Sequence, residues 1–338
     1  MLYEKHLSLE DRNNLPLNGP SNYRVNNNKI ITRAIEVNAV RQCNLSCKGC
    51  SHSSPIASKR IYELESLKRD LKNLSKYLNS EFIRIVGGEP LLYPDFNNLL
   101  KIIKESNICD KICLVTNGIY LNKITDDDLK YLDKIEISLY PLANKLIEYV
   151  KQGAEILSLK GVKVRLLEYS DFRESIVLFE TNNTNLIQQV YNTCQIAHNW
   201  RCITVDNDRL YRCPQSMIES EKQSNYSDSL KISEIEDIRE VLYFLENNEY
   251  LNSCSKCLGS VGKKFNHEQI KRNEWEKHLS VNIESGIDLE YAKTLSKSLK
   301  YTSDCMKRNN LLKNGIMYLG GNLWIKYILF DMVRQIGM

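Results

Sequence analysis

The stretch "RQCNLSCKGCSHSSP", residues 41–55, brings three cysteines and a histidine into one short segment. Cys43, Cys47 and Cys50 have the spacing C-x3-C-x2-C, and His52 follows closely. Structural zinc needs four closed ligands, so His52 could complete a Cys3His site. A four-iron, four-sulfur cluster normally takes four cysteines, and three would leave one iron open to an external ligand. The segment therefore indicates either a structural zinc site or a catalytic iron–sulfur site.

Strands and helices alternate on the C-terminal side of this segment. Runs of β-branched and apolar residues predict five strands, at 35–40, 82–86, 112–116, 134–140 and 162–168. Helical patterns separate them, with Thr125 as a predicted N-cap and Gly161 as a predicted C-cap. Strict β-α alternation predicts an α/β fold with a parallel sheet, either open and doubly wound or a barrel, whole or partial.

Polar or unusual residues follow the ends of the predicted strands. In parallel α/β folds, chemistry gathers at the C-terminal ends of the strands. The residues in that position are Cys43, Gly87, Gly88, Glu89, Pro90, Asn117 and Ser138. Core packing alone does not explain this coincidence, so the sequence predicts the functional site at this rim of the sheet.

The alternation stops after about residue 192. The stretch "CITVDNDRLYRCP" predicts two short strands joined at Asn207-Asp208, residues that tolerate the left-handed turn conformation. A helix carrying Ile235, Ile238, Val241, Leu242 and Leu245 is expected next, followed by "CSKC" at 254–257. The region thus contains a second set of cysteines, namely Cys194, Cys202, Cys213, Cys254 and Cys257.

Composition excludes several classes of protein. The 338 residues carry a net charge of +4 without a basic block interleaved with aromatics, so a nucleic-acid partner is not expected. In the most apolar stretch, near the C-terminus, the longest uncharged run, 314–325, has 12 residues, whereas a spanning helix needs about 20. With no signal peptide at the N-terminus, a cytoplasmic protein without a membrane span is predicted. Eleven cysteines, an odd number, argue against a disulfide scaffold and for metal ligation.

The segment "CNLSCKGC" after the first strand, followed by "GGEP" after the second, resembles the radical S-adenosylmethionine superfamily. The resemblance covers roughly residues 35–170 and implies a partial (β/α)6-type barrel. It implies that Cys43, Cys47 and Cys50 hold a 4Fe–4S cluster whose fourth iron is chelated by S-adenosylmethionine. Reductive cleavage then gives a 5′-deoxyadenosyl radical that abstracts hydrogen from a substrate. A low-potential electron donor such as flavodoxin or ferredoxin is implied as a partner.

The same resemblance assigns roles to the rim residues. Gly87, Gly88 and Pro90 form the turn that approaches S-adenosylmethionine, and Glu89 accepts hydrogen bonds from its ammonium group. Asn117 and Ser138 are similar to contacts with its carboxylate and ribose, although both could equally be satisfied locally. Arg165 could meet the carboxylate or form an ordinary salt bridge. One departure is Gly49, because the family usually has an aromatic residue there that contacts adenine.

The second set of cysteines resembles the auxiliary-cluster module called Twitch in SPASM-type radical enzymes. That module implies a second 4Fe–4S cluster, with Cys213, Cys254 and Cys257 as ligands, while Cys194 and Cys202 compete for the fourth place. A zinc ribbon is the alternative. A closed cluster suits electron transfer and hence substrate oxidation, whereas a free cysteine facing the substrate suits epimerisation.

The predicted organisation has four parts: an N-terminal extension (1–34), a radical-type partial barrel (35–191), the auxiliary module (192–262) and a helical C-terminal region (263–338). Only 34 residues precede the barrel, too few for a leader-binding domain. We therefore expect a small polar substrate, such as a sugar, aminocyclitol or nucleoside. The alternatives are maturation of a ribosomal peptide, and a zinc-stabilised binding protein without catalysis.

Overall fold

The computed structural model describes Arg12, residues 23–279 and residues 282–296. The strands of this part are β1 (Arg24–Asn26), β2 (Lys29–Val40), β3 (Leu78–Gly87), β4 (Cys109–Thr116), β5 (Lys134–Leu139), β6 (Lys163–Glu168), β7 (Asp171–Arg173), β8 (Ile203–Asp206), β9 (Arg209–Tyr211), β10 (Ser229–Lys231) and β11 (Lys264–Asn266). The α-helices are α1 (Leu64–Leu74), α2 (Phe96–Glu105), α3 (Asp126–Leu129), α4 (Asn144–Leu159), α5 (Thr184–Asn192), α6 (Pro214–Gln223), α7 (Ile238–Glu246), α8 (Arg272–Leu279) and α9 (Ile283–Gly286).

One large sheet organises the described chain. Its strand order is β10-β9-β8-β2-β3-β4-β5-β6, with β1 added beside β2. The six strands β8, β2, β3, β4, β5 and β6 run parallel, and helices α1 to α4 connect β2 through β6 in turn. The predicted α/β class with a parallel, partial (β/α)6-type arrangement is confirmed.

Strand β2 begins earlier than the sequence pattern predicted. The strand expected at 35–40 runs from Lys29, within the segment that was expected to be an N-terminal extension. Asn27 and Asn28, both with positive φ, form the two-residue turn that pairs β1 with the start of β2. The structured part of the chain therefore begins before residue 35. Residues 1–22, apart from Arg12, lie outside the described residues.

The two faces of the parallel strands differ in polarity. One face carries buried apolar side chains beneath the helices, among them Ile35, Ile83 and Ile135. Because side chains alternate along a strand, the neighbouring residues project from the opposite face. That face carries charged side chains, described below, and it continues up to the rim where the predicted site residues lie.

The predicted hairpin after residue 192 is confirmed, with Asn207 and Asp208 both at positive φ. Its first strand, β8, joins the large sheet in parallel beside β2. Helix α6 was not predicted, and α7 begins at Ile238, after the capping residue Asp237, rather than at Ile235. The domain boundary at residues 191 and 192 stays a prediction.

The C-terminal region contains helices α8 and α9 where helical structure was predicted, but strand β11 comes first and pairs with β7. Within the described residues, no helix is long and apolar enough to cross a membrane. The apolar run 314–325 and Cys305 lie outside the described residues.

Candidate functional site

The segment with the first three cysteines, residues 41–50 (the cysteine loop), follows the end of β2. The turn Gly87–Pro90 (the glycine turn) follows β3 and lies against the start of this loop. Gly88 N donates to Val40 O at 2.6 Å, and Glu89 N donates to Gln42 O at 2.8 Å. These backbone contacts join the two segments at the carboxyl edge of neighbouring parallel strands.

Both glycines of the turn are required by this close approach. A Cβ on Gly88 would lie 2.0 Å from Gln42 O, and one on Gly87 would lie 2.2 Å from Val40 O. Gly87 also has φ of +136°, a conformation that residues with a side chain rarely adopt. The obstructing atoms belong to the backbone, so no side-chain rearrangement could make room for a larger residue.

Glu89 is fully buried and ties the glycine turn to the end of β4. Its carboxylate accepts hydrogen bonds from Thr116 Oγ1 at 2.6 Å, Asn117 N at 2.8 Å and Leu91 N at 3.1 Å. Burial raises the pKa of Glu89, although these three donors oppose the shift. A carboxylate has about four acceptor positions, and these three donors occupy most of them.

Asn117 connects the end of β4 to the cysteine loop. Its Nδ2 donates to Asn44 Oδ1 at 2.7 Å and to Cys43 Sγ at 3.8 Å, while Ile119 N donates to its Oδ1 at 3.0 Å. These contacts match the local role that was considered for Asn117. They also bring its side chain to the sulfur of a predicted cluster ligand.

The remaining predicted contacts to S-adenosylmethionine lie on or after neighbouring strands. Ser138 lies on β5 and is hydrogen-bonded to Tyr140, and Pro90 begins a buried 3-10 turn. Arg165 lies on the edge strand β6 with a half-exposed side chain, 3.8 Å from Glu136 Oε1. The salt bridge predicted as an alternative for Arg165 is therefore present.

The three thiols of the cysteine loop suit an iron–sulfur cluster in their chemistry. Burial raises the pKa of Cys43 and Cys47 to about 12, and Cys50 lies close enough to both thiols to add to this effect. Leu45 N donates to Cys43 Sγ at 3.4 Å, and Gln269 Nε2 donates to Cys47 Sγ at 3.2 Å. Donors aimed at sulfur are characteristic of cluster ligands, whose properties depend on such hydrogen bonds. The donor set therefore fits the predicted cluster.

An aromatic ring from a distant segment lies over Gly49, the position that departs from the family. A Cβ on Gly49 would lie 2.5 Å from Phe265 Cζ, so the Phe265 ring fills the space that a side chain at 49 would enter. His267, nearby in sequence, stacks on Tyr140 with 4.9 Å between ring centroids. Sequence patterns missed Phe265 and His267 because more than 200 residues separate them from the loop. Tyr140, the last residue of a predicted strand, carried a signal.

Four of the five cysteines in the second set are neighbours in space. The pKa of Cys257 is raised first by burial and then by its neighbours Cys254, Cys194 and Cys213. The main chain also links them, because Gly259 N donates to Cys257 Sγ at 3.2 Å while Gly259 itself lies against the Cys194 side chain. Among the described residues, no three Cys, His, Asp or Glu side chains are grouped to hold a single metal ion. A cluster imposes a different arrangement, because each cysteine binds its own iron.

Cys202 points elsewhere, to the polar face of the sheet. Its half-buried thiol interacts with the Glu36 carboxylate, and Arg84 is among its closest charged neighbours. The more distant Cys213 and Cys194 affect its pKa less. The structure thus separates Cys202 from the other four cysteines more clearly than the sequence could.

The polar face carries a charge network that the sequence analysis missed. Arg84 lies between two carboxylates, donating to Glu36 Oε1 at 2.9 Å and to Glu136 Oε2 at 3.0 Å. Burial opposes the charge on Arg84, but the two carboxylates outweigh it and raise the pKa of Arg84. A charged residue between apolar neighbours in each of "IEVNAV", "FIRIV" and "KIEISLY" was a signal that could have revealed this polar face.

Comparison with known proteins finds a match for the part of the chain that contains the cysteine loop and the glycine turn. Residues 37–143 match the sequence model of the Radical SAM superfamily. Curated relatives include GTP 3′,8-cyclase of Chlorobaculum tepidum, 31% identical over 107 residues (31% of this chain and 32% of that protein). GTP 3′,8-cyclase of Limosilactobacillus fermentum is 26% identical over 165 residues (47% and 49%). The chain thus spans between a third and a half of the length of these relatives.

Solved structures with a similar course of the chain share little sequence with it. BtrN in complex with AdoMet and 2-DOIA is 17% identical, with a TM-score of 0.43 over 66% of this chain and 92% of that one. The anSMEcpe protein with bound AdoMet is 15% identical, with a TM-score of 0.46 over 84% and 100%. Similarities this distant support no argument about substrate.

Proposed function

We propose that the protein is a radical S-adenosylmethionine enzyme whose cluster is held by Cys43, Cys47 and Cys50. The observation that carries the proposal is the convergence of the cysteine loop, the glycine turn and Asn117 at one edge of the sheet. A structural zinc site explains the cysteines but not why a Gly-Gly-Glu-Pro turn is fixed against them. The match of residues 37–143 to the Radical SAM superfamily supports the same choice.

The residues of the chain would divide the work of binding. Gly87 and Gly88 keep the main chain free of side chains beside the cluster, and Glu89 holds the turn in place while keeping one acceptor position for the ammonium group. Asn117 orients Cys43, while Ser138 and Arg165 stay candidates for the ribose and carboxylate. When bound, the reduced cluster supplies the electron that cleaves S-adenosylmethionine to the radical that takes hydrogen from substrate.

Phe265 is our candidate for the aromatic contact to adenine. The support is steric, because its ring occupies the space above Gly49 where the family usually places an aromatic side chain. Lys48 Nζ lies 5.0 Å from the centre of the same ring, which favours a fixed ring position. In this proposal a residue from the C-terminal region replaces one from the cysteine loop.

A second 4Fe–4S cluster is proposed on Cys194, Cys213, Cys254 and Cys257. Cys194 is preferred to Cys202 because Cys194 lies beside Gly259 and Cys257, whereas Cys202 lies beside Glu36. Four protein ligands would close this cluster, which suits an electron acceptor, so we prefer substrate oxidation. Epimerisation is the second candidate, favoured by the Cys202 thiol on the polar face, where it could return a hydrogen atom.

A small polar substrate is proposed because the polar face presents Glu36, Arg84 and Glu136 toward the interior of the partial barrel. Charged and hydrogen-bonding groups of this kind complement a sugar, aminocyclitol or nucleoside better than an apolar molecule. The relatives named GTP 3′,8-cyclase match only part of this chain, so GTP is one compound for the substrate screen. A ribosomal peptide is the other class to test.

The test is anaerobic reconstitution followed by iron and sulfide analysis of three proteins. These are the parent, a variant with Cys43, Cys47 and Cys50 changed to alanine, and the control Cys109→Ala, which removes a buried thiol outside both sets. We expect about eight irons in the parent and control and about four in the triple variant. About four irons per chain in the parent and none in the triple variant would refute the proposed second cluster. Zinc without iron would instead indicate a zinc-stabilised binding protein.

A further inference from the structure

The segment 264–270 (the strap) lies along the cysteine loop and is joined to it by hydrogen bonds and an ion pair. Lys48 N donates to Glu268 O at 3.0 Å, and Ile270 N donates to Ser46 O at 3.0 Å. Ser46 Oγ donates to Ile270 O at 2.6 Å, and Lys48 Nζ forms an ion pair with Glu268 at 2.5 Å. A segment more than 200 residues away in sequence therefore holds the backbone of the loop that carries the three cysteines.

The side chain of Gln269 makes two further contacts, one through each end of its amide. Ser46 N donates to Gln269 Oε1 at 2.6 Å, and Gln269 Nε2 donates to Cys47 Sγ at 3.2 Å. A backbone N–H can only donate, so Oε1 must face Ser46, and this leaves Nε2 to face the sulfur. The orientation of the amide is thus fixed by the loop itself, with its donor directed at Cys47.

The far end of the strap is anchored to the rest of the chain. Strand β11, within the strap, pairs with β7, and His267 N donates to Ser170 O at 2.9 Å. These contacts fix the position of Gln269 relative to the sheet. They also make the hydrogen bond to Cys47 a feature of the folded protein rather than of a free side chain.

We propose that Gln269 is a positioning residue that raises the reduction potential of the cluster on Cys43, Cys47 and Cys50. This inference rests on the proposed function. Reduction adds negative charge to a cluster and its sulfur ligands, and a hydrogen-bond donor stabilises that charge. Removing the donor therefore makes the cluster harder to reduce. We expect the equilibrium constant for reduction to fall about tenfold, which corresponds to about 59 mV for one electron.

The test compares four reconstituted full-length proteins: the parent, Gln269→Leu, Gln269→Glu and the control Gln152→Glu. In Gln269→Glu the acceptor for Ser46 N is kept, but the donor to sulfur is replaced by a negative charge. The control adds the same charge on the exposed side of α4. Redox titration, followed by the electron paramagnetic resonance signal that responds to S-adenosylmethionine, gives the potential of this cluster in each protein.

The expected order of potentials is Gln269→Glu lowest, Gln269→Leu intermediate, and the control equal to the parent, all with full iron content. Equal potentials in all four proteins would overturn the proposal. Loss of iron in both Gln269 variants would also overturn it, because the residue would then only support the loop. A parent that binds no iron on Cys43, Cys47 and Cys50 would instead refute the proposed function, a different result from either of these.

Discussion

Replacing Gly88 by alanine tests whether the glycine turn and the cysteine loop are in direct contact. The new Cβ would lie 2.0 Å from Gln42 O and 2.3 Å from Gln42 C, both backbone atoms. Relief requires the main chain of one segment to move by about 1 Å, since ordinary contacts begin above 3 Å. That movement would break the hydrogen bonds from Gly88 N to Val40 O and from Glu89 N to Gln42 O.

The expected cost follows from these contacts. Two lost backbone hydrogen bonds contribute about 1 kcal/mol each, and overpacking contributes about 1–3 kcal/mol. The free energy of unfolding of Gly88→Ala should therefore fall by about 3–5 kcal/mol. Iron binding should fall too, because the loop that carries the cysteines is displaced. Guanidinium unfolding of the metal-free protein and iron content after reconstitution measure the two effects.

Gly153→Ala is the matched control. Gly153 lies within helix α4, where the nearest atoms to a Cβ would belong to the Leu121 side chain, with its flexible end Cδ1 at 3.1 Å and its Cβ at 3.4 Å. Alanine is favoured over glycine in a helix by about 1 kcal/mol, which offsets any cost of the contact with Leu121. The free energy of unfolding of Gly153→Ala should therefore be no more than about 1 kcal/mol below that of the parent. Equal stability and equal iron content in the two variants would refute the close approach on which the site depends.

Three other predictions concern the remaining parts of the site. Cys254→Ser should lose about four irons on reconstitution while Cys202→Ser keeps all of them; loss of iron in Cys202→Ser would reverse the ligand assignment. Arg84→Met leaves the buried Glu36 carboxylate without its ion-pair partner, whereas Glu136 keeps Lys134, and it should lower stability in urea by about 2–3 kcal/mol. Burial raises the pKa of Glu36, and Arg84 opposes that shift. The loss of stability in Arg84→Met should therefore be larger near pH 8, where Glu36 is charged, than near pH 5, where protonation of Glu36 removes the unpaired charge. A loss of stability that does not depend on pH would argue against a charge effect. Gly49→Phe should weaken binding of S-adenosylmethionine in calorimetry, because its side chain collides with Phe265, and adding Phe265→Ala should restore part of it; no rescue would show that the two rings do not share one space.

Much of the fold could be predicted because its signals are local. Alternation of short apolar runs with helical patterns gave the parallel strands. Asn207-Asp208 marked a hairpin turn whose residues both adopt positive φ, and Thr125 caps α3 through a capping box. In each case the residues that carry the signal lie within a few positions of the structure that they specify.

The parts that were missed depend on burial or on distant contacts. Helix α6 is buried along Pro214–Ser220, so it shows no alternation between polar and apolar faces that would mark it in the sequence. Strand β8 joins β2 across more than 160 residues of chain, and Gln269 reaches Cys47 across 222. A pattern within a short window cannot specify such pairings, because tertiary packing selects them.

The candidate site shows the same division. The cysteine loop, the glycine turn and Asn117 were predicted because each follows a strand in a parallel sheet. Which of Cys194 and Cys202 joins the second set could not be decided from spacing, since both precede the hairpin. The two are separated by their contacts, because Cys202 lies beside Glu36 on the polar face whereas Cys194 lies beside Gly259 and Cys257.

The most direct measurement of the central claim is 5′-deoxyadenosine formation from S-adenosylmethionine after reduction with dithionite under anaerobic conditions. The proteins are the reconstituted parent, the variant with Cys43, Cys47 and Cys50 changed to alanine, and the control Cys109→Ala. We expect 5′-deoxyadenosine from the parent and the control, and none from the triple variant even though it keeps its second set of cysteines. Equal amounts from all three proteins, or none from a parent fully loaded with iron, would contradict the account.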